Sequence, residues 1–409
     1  MGKLNNLPVG ERDKNIVAVL NCLAMEEETS LQDIVSKTGV STATASRIIN
    51  SLVSKEIAIT TGKEITESGR RPNIFRLNGA YGYIILFHMR SDRISGVLAG
   101  INGEVLSEMD LAVSWDIPLL KLMLSFGKVY DELLSLANVK RSAVLVALVS
   151  LPGVIDAQTN TVRRTPNICT FKDENVQAYI EEVLQVHVIL VNDARLCTMG
   201  EHRSYHPAIR DMVYVYISDA CGIGGGIIIN GELYGGSRGA AGEIGESFFD
   251  MFNFIDSDVS QMGTTERYAS LQAVYRRIES LLQAGKATIL KQLMERTNAH
   301  TLSLELIEQA IALGDQYVDD VYDAAVKVWA IAIINLCALL DPELLVVGGE
   351  ITQACTITLE KLHRYIERGL YYEPDVRLSV LGEKASREGG LYILRQYVLE
   401  NVLVYDAIK

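Results

Sequence analysis

The feature that most constrains the fold is a glycine-rich stretch at residues 221–246, with the sequence CGIGGGIIINGELYGGSRGAAGEIGE. Glycine adopts positive φ and lets backbone segments approach closely, so this density of glycines beside a run of isoleucines is typical of a tight hairpin. An acid, Glu243, follows the hairpin, and we expect it to be buried. The stretch therefore predicts close packing of strand backbone around an acidic side chain.

Size and composition indicate a soluble globular protein of two or three domains. The chain has 409 residues, 48% of them hydrophobic and 22% charged, which is too long for a single core. The six cysteines stand apart without a CxxC pair, so the sequence predicts neither a disulfide framework nor a zinc knuckle. This cysteine pattern favours a reducing cytoplasm.

The sequence carries no signal for export or membrane insertion. The N-terminus lacks a basic stretch followed by an apolar one. The longest apolar segment, residues 328–340, is too short to span a bilayer. We therefore expect a cytoplasmic protein.

Charge is distributed unevenly between the N-terminal region and the rest of the chain. The net charge is −13, but residues 1–78 hold 10 Lys and Arg against 9 Asp and Glu, so the acidity belongs to the remainder. Within residues 37–76 there are seven basic residues and three acids. A local excess of this sign suits a surface that faces phosphates.

The first 78 residues predict a winged helix-turn-helix. Apolar residues at helical spacing between 16 and 24 predict a first helix, and Ser30 with Asp33 forms a capping box for a second. Gly39 makes the turn and Ser41 caps a third helix, with an apolar stripe on one face and small polar residues on the other. Residues 57–77 predict two short strands around Thr61-Gly62-Lys63, forming a wing that ends in GRRP.

A helix with small and polar residues outward can lie in the major groove of DNA. The residues predicted to contact DNA, in the third helix and the wing, are Ser41, Thr42, Ala43, Thr44, Ser46, Arg47, Asn50, Lys63, Arg70 and Arg71. The arginine pair before Pro72 fits either an adjacent minor groove or a phosphate contact. The alternative interpretation is a dimerisation or packing module, because three-helix units with a glycine turn are common.

From residue 81 onward short apolar strands alternate with helices, which is typical of an α/β fold with mixed sheets. The predicted segments of a first lobe are strands at 83–87, 94–99, 104–110, 143–149 and 187–191, and helices at 119–136, 174–184 and after residue 193. The predicted segments of a second lobe are strands at 212–217, 224–229 and 344–347, with several helices between 265 and 340. We expect domains at 1–78, 79–200 and 201–409, with the C-terminal helix packing back on the first lobe and ligands in the cleft between lobes.

Eight motifs in order carry a resemblance to a known family. They are GRRP at 69–72, LPGVID at 151–156, TPN at 165–167, VNDA at 191–194, GIGGGIIINGELYGG at 222–236, GAAGEIG at 239–245, ERYAS at 266–270 and DPELLVVGG at 341–349. With them the chain resembles the ROK family of repressors, uncharacterised reading frames and sugar kinases, and with its winged helix it is similar to the repressor branch. The resemblance covers nearly the whole chain and implies a two-lobed, actin-like sugar-kinase body behind the DNA-binding domain.

The resemblance also implies a sugar site in the cleft between the lobes. The residues that it places against the sugar are Asn167, Asn192, Asp193, Glu243 and Glu266. Carboxylates and amides suit sugar hydroxyls, which both donate and accept hydrogen bonds. In kinases of this family the aspartate matching Asp193 is the general base. The alternative is that these short polar residues only cap helices and shape turns.

The departures from the family pattern point away from catalysis. The first phosphate hairpin has His88 and Arg90 where the family's kinases have an acid and a glycine, and the second has Ala220-Cys221-Gly222 in place of a hydroxyl-bearing loop. Glu246 replaces the histidine of the family's zinc site, and residues 257–266 contain no cysteine. We expect no phosphoryl transfer, no metal and no cofactor, with Phe248, Phe249, Met251 and Phe254 packing the loop instead.

The sequence therefore predicts a cytoplasmic repressor, a homodimer or a tetramer, that binds palindromic double-stranded operator DNA and a sugar or sugar-phosphate effector. Two other interpretations remain open. One is a sugar kinase with an accessory N-terminal domain, favoured by Asp193 and opposed by His88 and Arg90. The other is a regulator that responds to a protein partner instead of a sugar.

Overall fold

The computed structural model describes residues 11–26, 28–63, 73–90, 92–114, 117–156, 159–164, 174–205, 208–218, 222–249, 263–286, 288–353 and 356–408. The helices are α1 Glu11–Met25, α2 Leu31–Thr38, α3 Thr42–Ser54, α4 Leu119–Ala137, α5 Val176–Leu184, α6 Asp193–Tyr205, α7 Thr264–Ala269, α8 Leu271–Gln283, α9 Ile289–Thr297, α10 Leu304–Ala312, α11 Gln316–Leu340, α12 Thr356–Gly369, α13 Ala385–Val398 and α14 Val404–Ile408. The strands are β1 Thr29–Ser30, β2 Ala58–Lys63, β3 Asn73–Leu77, β4 Tyr83–Met89, β5 Arg93–Gly100, β6 Val105–Ala112, β7 Val144–Leu151, β8 Val154–Ile155, β9 Val162–Arg164, β10 Val188–Asn192, β11 Met212–Ser218, β12 Gly222–Ile229, β13 Glu232–Leu233, β14 Leu344–Gly348 and β15 Val376–Leu378.

Helices α1 to α3 and an antiparallel sheet in the order β1-β3-β2 form an N-terminal head domain. The predicted capping box is confirmed, because Asp33 N donates to Ser30 Oγ at 3.3 Å and Ser30 N donates to Asp33 Oδ2 at 3.2 Å. Gly39 ends α2 with a φ of 70°, in the left-handed region. Ser41 Oγ then caps α3 by accepting from Thr44 N at 3.3 Å. These local signals produce the predicted helix-turn-helix.

The predicted position of the wing turn is wrong. Thr61-Gly62-Lys63 belongs to β2, where the register with β3 shifts between Thr60 and Gly62. An extra residue at this point bulges the strand and lets β2 continue to Lys63. The connection to β3 falls at residues 64–72, which lie outside the described residues.

Lobe 1 is built on a five-stranded mixed sheet in the order β10-β7-β4-β5-β6. Alternate residues of β4 point to opposite faces, so Ile85 and Phe87 pack in the cluster that contains α4 and α5. Ile84 and Leu86 pack on the other face, in a cluster shared with the C-terminal segment and the head domain. The β4 strand is therefore covered on both sides.

Lobe 2 repeats this plan with a sheet in the order β13-β12-β11-β14-β15. Val213, Val215 and Ile217 on one face of β11 pack against the helices α8 to α12. Tyr214, on the other face, packs in a cluster with Cys197 of α6. Helix α6, which begins directly after β10 of lobe 1, thus lies between the two sheets.

Helix α11 is longer than the apolar segment that the sequence indicates. It has 25 residues and contains an 18-residue window with a mean hydropathy of 1.8, so its length and composition alone would allow it to cross a membrane. It also carries Asp323, whose carboxylate pairs with Lys327 at 2.9 Å and Lys361 at 2.8 Å. Trp329 is buried and donates to the Ala269 carbonyl at 2.8 Å. In the structure, α11 is a packed helix of lobe 2.

The C-terminal segment returns from lobe 2 to lobe 1 and the head domain. Helix α13 continues through a π-helical turn, Leu399–Leu403, into α14. It crosses α6 at close range, since a Cβ on Gly200 would overlap the Ala385 carbonyl and one on Gly389 would overlap the Leu196 carbonyl. Only glycine at these positions permits such an approach.

Candidate functional site

The outer face of α3 presents the side chains that the sequence predicts for DNA contact. On this face Ser41, Thr42, Ala43, Arg47 and Asn50 are exposed, and Thr44 and Ser46 are half-buried. The opposite stripe, Ala45, Ile48, Ile49 and Leu52, is buried in the head core. Burial of the apolar stripe leaves a polar helix surface free to enter a major groove.

Three basic residues of the predicted wing are not placed. Lys63 is described only by its backbone, at the end of β2. Arg70 and Arg71 fall within residues 64–72, outside the described residues. Their contact with DNA stays a prediction.

Four of the five residues predicted to face a sugar line one pocket between the lobes. Asn192 ends β10 and Asp193 begins α6, while Glu243 precedes a 3₁₀ turn and Glu266 lies in α7. All four border the same pocket, together with Gly153, Tyr216 and Glu246. The fifth, Asn167, lies outside the described residues. Amide and carboxylate groups from both lobes therefore converge on one space.

Asn192 and Asp193 also form hydrogen bonds with the backbone around the start of α6. Asn192 Nδ2 donates to the Gly153 carbonyl at 3.0 Å, and Asn192 Oδ1 accepts from Arg195 N at 3.2 Å. Asp193 Oδ1 accepts from Ala194 N at 2.8 Å, and the residue is only 3% exposed. These contacts cap α6, and both side chains still border the pocket. The capping role and the pocket position thus coexist.

The positions of Glu243 and Glu266 depend on contacts with the glycine-rich stretch at residues 221–246 and with Arg195. Ile223 N donates to Glu266 Oε2 at 2.7 Å at the start of β12. Gly222 has a φ of 84°, and a Cβ there would overlap the Glu266 carboxylate. The loop before Glu243 is held by Arg195, whose Nη2 donates to the carbonyls of Gly235, Gly239 and Ala241 at 3.1, 2.7 and 3.2 Å.

Arg195 is a site residue that the sequence reasoning missed. Burial lowers the pKa of its guanidinium, and the Glu243 carboxylate opposes that shift. Its place directly after VNDA is the only sequence signal, because the three carbonyls that it binds lie about 40 residues away. Tyr216 was also missed, since it belongs to an ordinary apolar strand.

A second pocket of about 180 Å³ adjoins the first, and Tyr216 borders both. It is lined by His88 and Arg90 at the end of β4, with Ser218, Glu350 and Ser386 among the others. His88 Nδ1 contacts Ser150 Oγ at 3.1 Å and Ser386 Oγ at 2.9 Å. Burial, and to a lesser degree Arg90, lowers the pKa of His88 to about 3, so the imidazole is uncharged at neutral pH.

The described residues hold no group of three His, Cys, Asp or Glu side chains arranged to bind a metal ion. The predicted apolar plug is placed in part: Phe249 packs edge-on against Tyr268 with ring centroids 5.6 Å apart. Phe248 is 43% exposed, so its part in the plug stays a prediction. Met251 and Phe254 lie outside the described residues.

Two family models match the chain. The ROK family matches residues 94–396, and the IclR helix-turn-helix domain matches residues 14–58. The xylose repressor of Caldicellulosiruptor bescii is 24% identical over 365 residues, which cover 86% of this chain and 89% of that protein. The matches thus extend over the head domain and both lobes.

Two solved structures share the fold. A ROK family transcriptional regulator, a homologue of the E. coli Mlc protein, has a TM-score of 0.77 at 20% identity and covers 97% of this chain and 99% of its own. A ROK family glucokinase from Streptomyces griseus, in complex with glucose and AMPPNP, has a TM-score of 0.63 at 22% identity and covers 77% and 100%. A regulator and a kinase are therefore both built on this fold.

Proposed function

The chain belongs to the ROK family, and we propose that it is a sugar-responsive transcriptional repressor whose effector, a sugar or sugar phosphate, lies in the cleft between its lobes. The observation that carries the proposal is the presence of two sites in one chain. The head domain exposes the polar face of α3, and the lobes enclose a pocket of carboxylates and an amide. A sensor of this kind needs both.

On the DNA side, α3 is the helix that enters the major groove under this proposal. Arg47 and Asn50 are exposed and long enough to reach base edges, where arginine pairs with guanine and asparagine with adenine. Ser41 and Thr42, which are exposed at the helix start, would contact backbone phosphates. The basic wing residues Lys63, Arg70 and Arg71 would supply further phosphate contacts.

On the sugar side, Asn192, Asp193, Glu243 and Glu266 are the proposed ligands, with Asn167 completing the set. Carboxylates accept from hydroxyl groups, and an amide both donates and accepts, so the pocket suits a ring with several hydroxyls. We propose that the lobes close on the ring and that the open and closed forms differ in operator affinity. The sugar can then shift the protein between these forms only as far as its own affinity for them differs.

Phosphoryl transfer is not part of the proposed function. Transfer depends on positioning and charge stabilisation around the phosphates, usually through a metal held by an acid. Here β4 carries an uncharged, half-buried His88 and is followed by Arg90, at positions where the family's kinases have an acid and a glycine. Asp193 keeps the position of the kinase base, which alone is insufficient. The chain would then bind a sugar without modifying it.

The proposal also specifies the assembly and its location. A palindromic operator presents two half-sites, so a homodimer with two head domains is the proposed binding unit, with pairing of dimers giving tetramers. Because the operator is chromosomal DNA, the proposed location is the cytoplasm.

Replacing Glu243 tests the sugar half of the proposal. Glu243→Gln keeps the size of the side chain and removes its charge, so operator binding should be retained while the response to sugars is lost. The control is Glu232→Gln, an exposed glutamate of β13 outside the pocket. Operator binding is measured by fluorescence anisotropy against a panel of sugars and sugar phosphates. An unchanged sugar response in Glu243→Gln would remove this residue from the site.

A further inference from the structure

The C-terminal helix places Asp406 against two segments that lie more than 300 residues away in sequence. Tyr81 Oη donates to Asp406 Oδ2 at 2.9 Å, and Lys55 Nζ donates to the Asp406 carbonyl at 2.7 Å. Ser51 Oγ donates to the Ala407 carbonyl at 3.3 Å. These five residues are named the Asp406 cluster below.

The Asp406 cluster joins three parts of the molecule at one point. Ser51 belongs to the last turn of α3, and Lys55 caps that helix. Tyr81 ends the 3₁₀ turn Gly79–Tyr81, which connects the head domain to lobe 1. Asp406 and Ala407 belong to α14. The helix proposed to enter the major groove is therefore tied to the body of the protein through the C-terminal helix.

We propose that Asp406 is a positioning residue for operator binding, which sets the angle of α3 relative to lobe 1 and transmits changes in the cleft to the head domain. The inference rests on the proposed function, since it names the route by which that function is regulated. A bond between tyrosine and a carboxylate is charge-assisted and stronger than one between neutral groups. The angle of α3 would therefore depend on this contact.

The hydrogen bond between Tyr81 and Asp406 keeps its donor at neutral pH and is partly shielded from water. Burial and the neighbouring Asp406 raise the pKa of Tyr81 to about 12, so the hydroxyl remains a donor across the neutral range. Tyr81 and Asp406 are both half-buried, which shields their bond from water. Tyr81 therefore remains the donor of this bond across the neutral range, and the bond can respond to movement of the helix.

A continuous set of packed helices links the sugar pocket to the Asp406 cluster. Asp193 borders the pocket and begins α6, and α6 packs backbone to backbone on α13 where Gly200 and Gly389 cross. Further along α13, Arg395 donates to the Ala24 carbonyl in the last turn of α1. The same segment then reaches Asp406. Movement of α6 on lobe closure would shift the C-terminal helix against both α1 and α3.

Hydrogen–deuterium exchange of the full-length protein without ligand tests the contact itself. The variant is Tyr81→Phe, which removes only the hydroxyl, and the matched control is Tyr405→Phe, which removes the hydroxyl of a 48% exposed neighbour on α14. We expect exchange in peptides covering α3 and α14 to rise about threefold to tenfold in Tyr81→Phe, and exchange in α11 to stay unchanged. Exchange equal to wild type in Tyr81→Phe would overturn the inference.

Operator binding tests the positioning role. Tyr81→Phe and Asp406→Asn should weaken operator affinity about threefold to tenfold, leave affinity for random DNA unchanged, and reduce the change caused by D-xylose or D-glucose. Equal losses on both kinds of DNA, or a full sugar response in both variants, would overturn it. If neither sugar changes operator binding by the wild type, those effectors are excluded, and the exchange measurement still decides whether the Asp406 cluster holds α3.

Discussion

The two pockets of the cleft differ in chemistry. The pocket proposed to bind a sugar is called the sugar side below, and the pocket lined by His88 and Arg90 is called the phosphate side. On the sugar side, four polar residues predicted from family motifs meet in one pocket, and backbone hydrogen bonds hold Asn192, Asp193 and Glu266. On the phosphate side, β4 carries a half-buried, neutral His88 and is followed by Arg90. Tyr216 borders both pockets. One pocket therefore gathers an amide and carboxylates, while the other places an uncharged imidazole beside a guanidinium.

The largest expected effect is on the free energy of unfolding, and it tests the close packing of the backbone next to Glu243. Gly242 precedes Glu243 with a φ of 92°, and a Cβ there would overlap the Gly225 carbonyl. Gly242→Ala should lower the free energy of unfolding by about 3 kcal/mol through strain and overlap. The control is Gly231→Ala, because Gly231 also has a positive φ, of 81°, but a Cβ there would meet no neighbouring atom within 4 Å; this change should cost about 1 kcal/mol. Equal losses in urea unfolding would contradict close packing at Gly242.

A direct comparison of the two sides comes from sugar affinity. Asp193→Asn removes a charged acceptor from the sugar pocket, so the binding free energy should fall by about 2 kcal/mol, or roughly 30-fold in Kd. Arg90→Ala, on the phosphate side, should change the Kd by less than about twofold. Titration calorimetry with a sugar that binds the wild type measures both. An equal loss in Arg90→Ala would mean that the ligand spans both pockets.

His88, on the phosphate side, should make the free energy of unfolding depend on pH. The pKa of His88 is lowered to about 3 in the folded state, so between there and the unfolded value near 6.5 only the unfolded chain binds the proton. Stability is then lost as pH falls through this window, by about 2 kcal/mol between pH 7 and pH 5. His88→Gln should remove this component, while His300→Gln, an exposed control, should keep it. Parallel curves for wild type and His88→Gln would contradict a histidine that stays neutral in the folded protein.

The smallest expected effect is on DNA binding and comes from a residue of the head domain, outside both pockets of the cleft. Arg47→Ala should weaken operator binding by about 1 kcal/mol, the low end for a residue that contacts a base, while sparing random DNA and sugar affinity. Fluorescence anisotropy with operator and scrambled duplexes measures the difference. Equal losses on both DNAs would reduce Arg47 to a phosphate contact.

Local signals predicted much of the fold. The capping box at Ser30, the turn at Gly39 and the cap at Ser41 act between residues close in sequence, so their pattern determines the helix-turn-helix. The strands and helices of lobe 1 fall within a few residues of the expected positions for the same reason. The pairing of Asn192 and Asp193 with the distant Glu243 and Glu266 came from the family resemblance.

Contacts between distant segments could not be predicted. Arg195 binds three carbonyls of a loop about 40 residues away, and Asp406 meets Tyr81 across 325 residues. Periodicity and capping patterns do not predict such contacts, because the contacts depend on how the lobes pack. The predicted turn at Thr61-Gly62-Lys63 was wrong because a bulge extends β2 through a tripeptide with the composition of a turn.

Binding of the purified protein to its own upstream DNA, against a scrambled duplex at near-physiological salt, tests the central claim most directly. Nonspecific contacts weaken steeply with salt, so a preference that survives reports specific binding. The account predicts such a preference, and a change in it with at least one sugar or sugar phosphate from a panel. No preference under any condition would contradict it, and ATP turnover with the same sugars would then be measured to test the kinase interpretation.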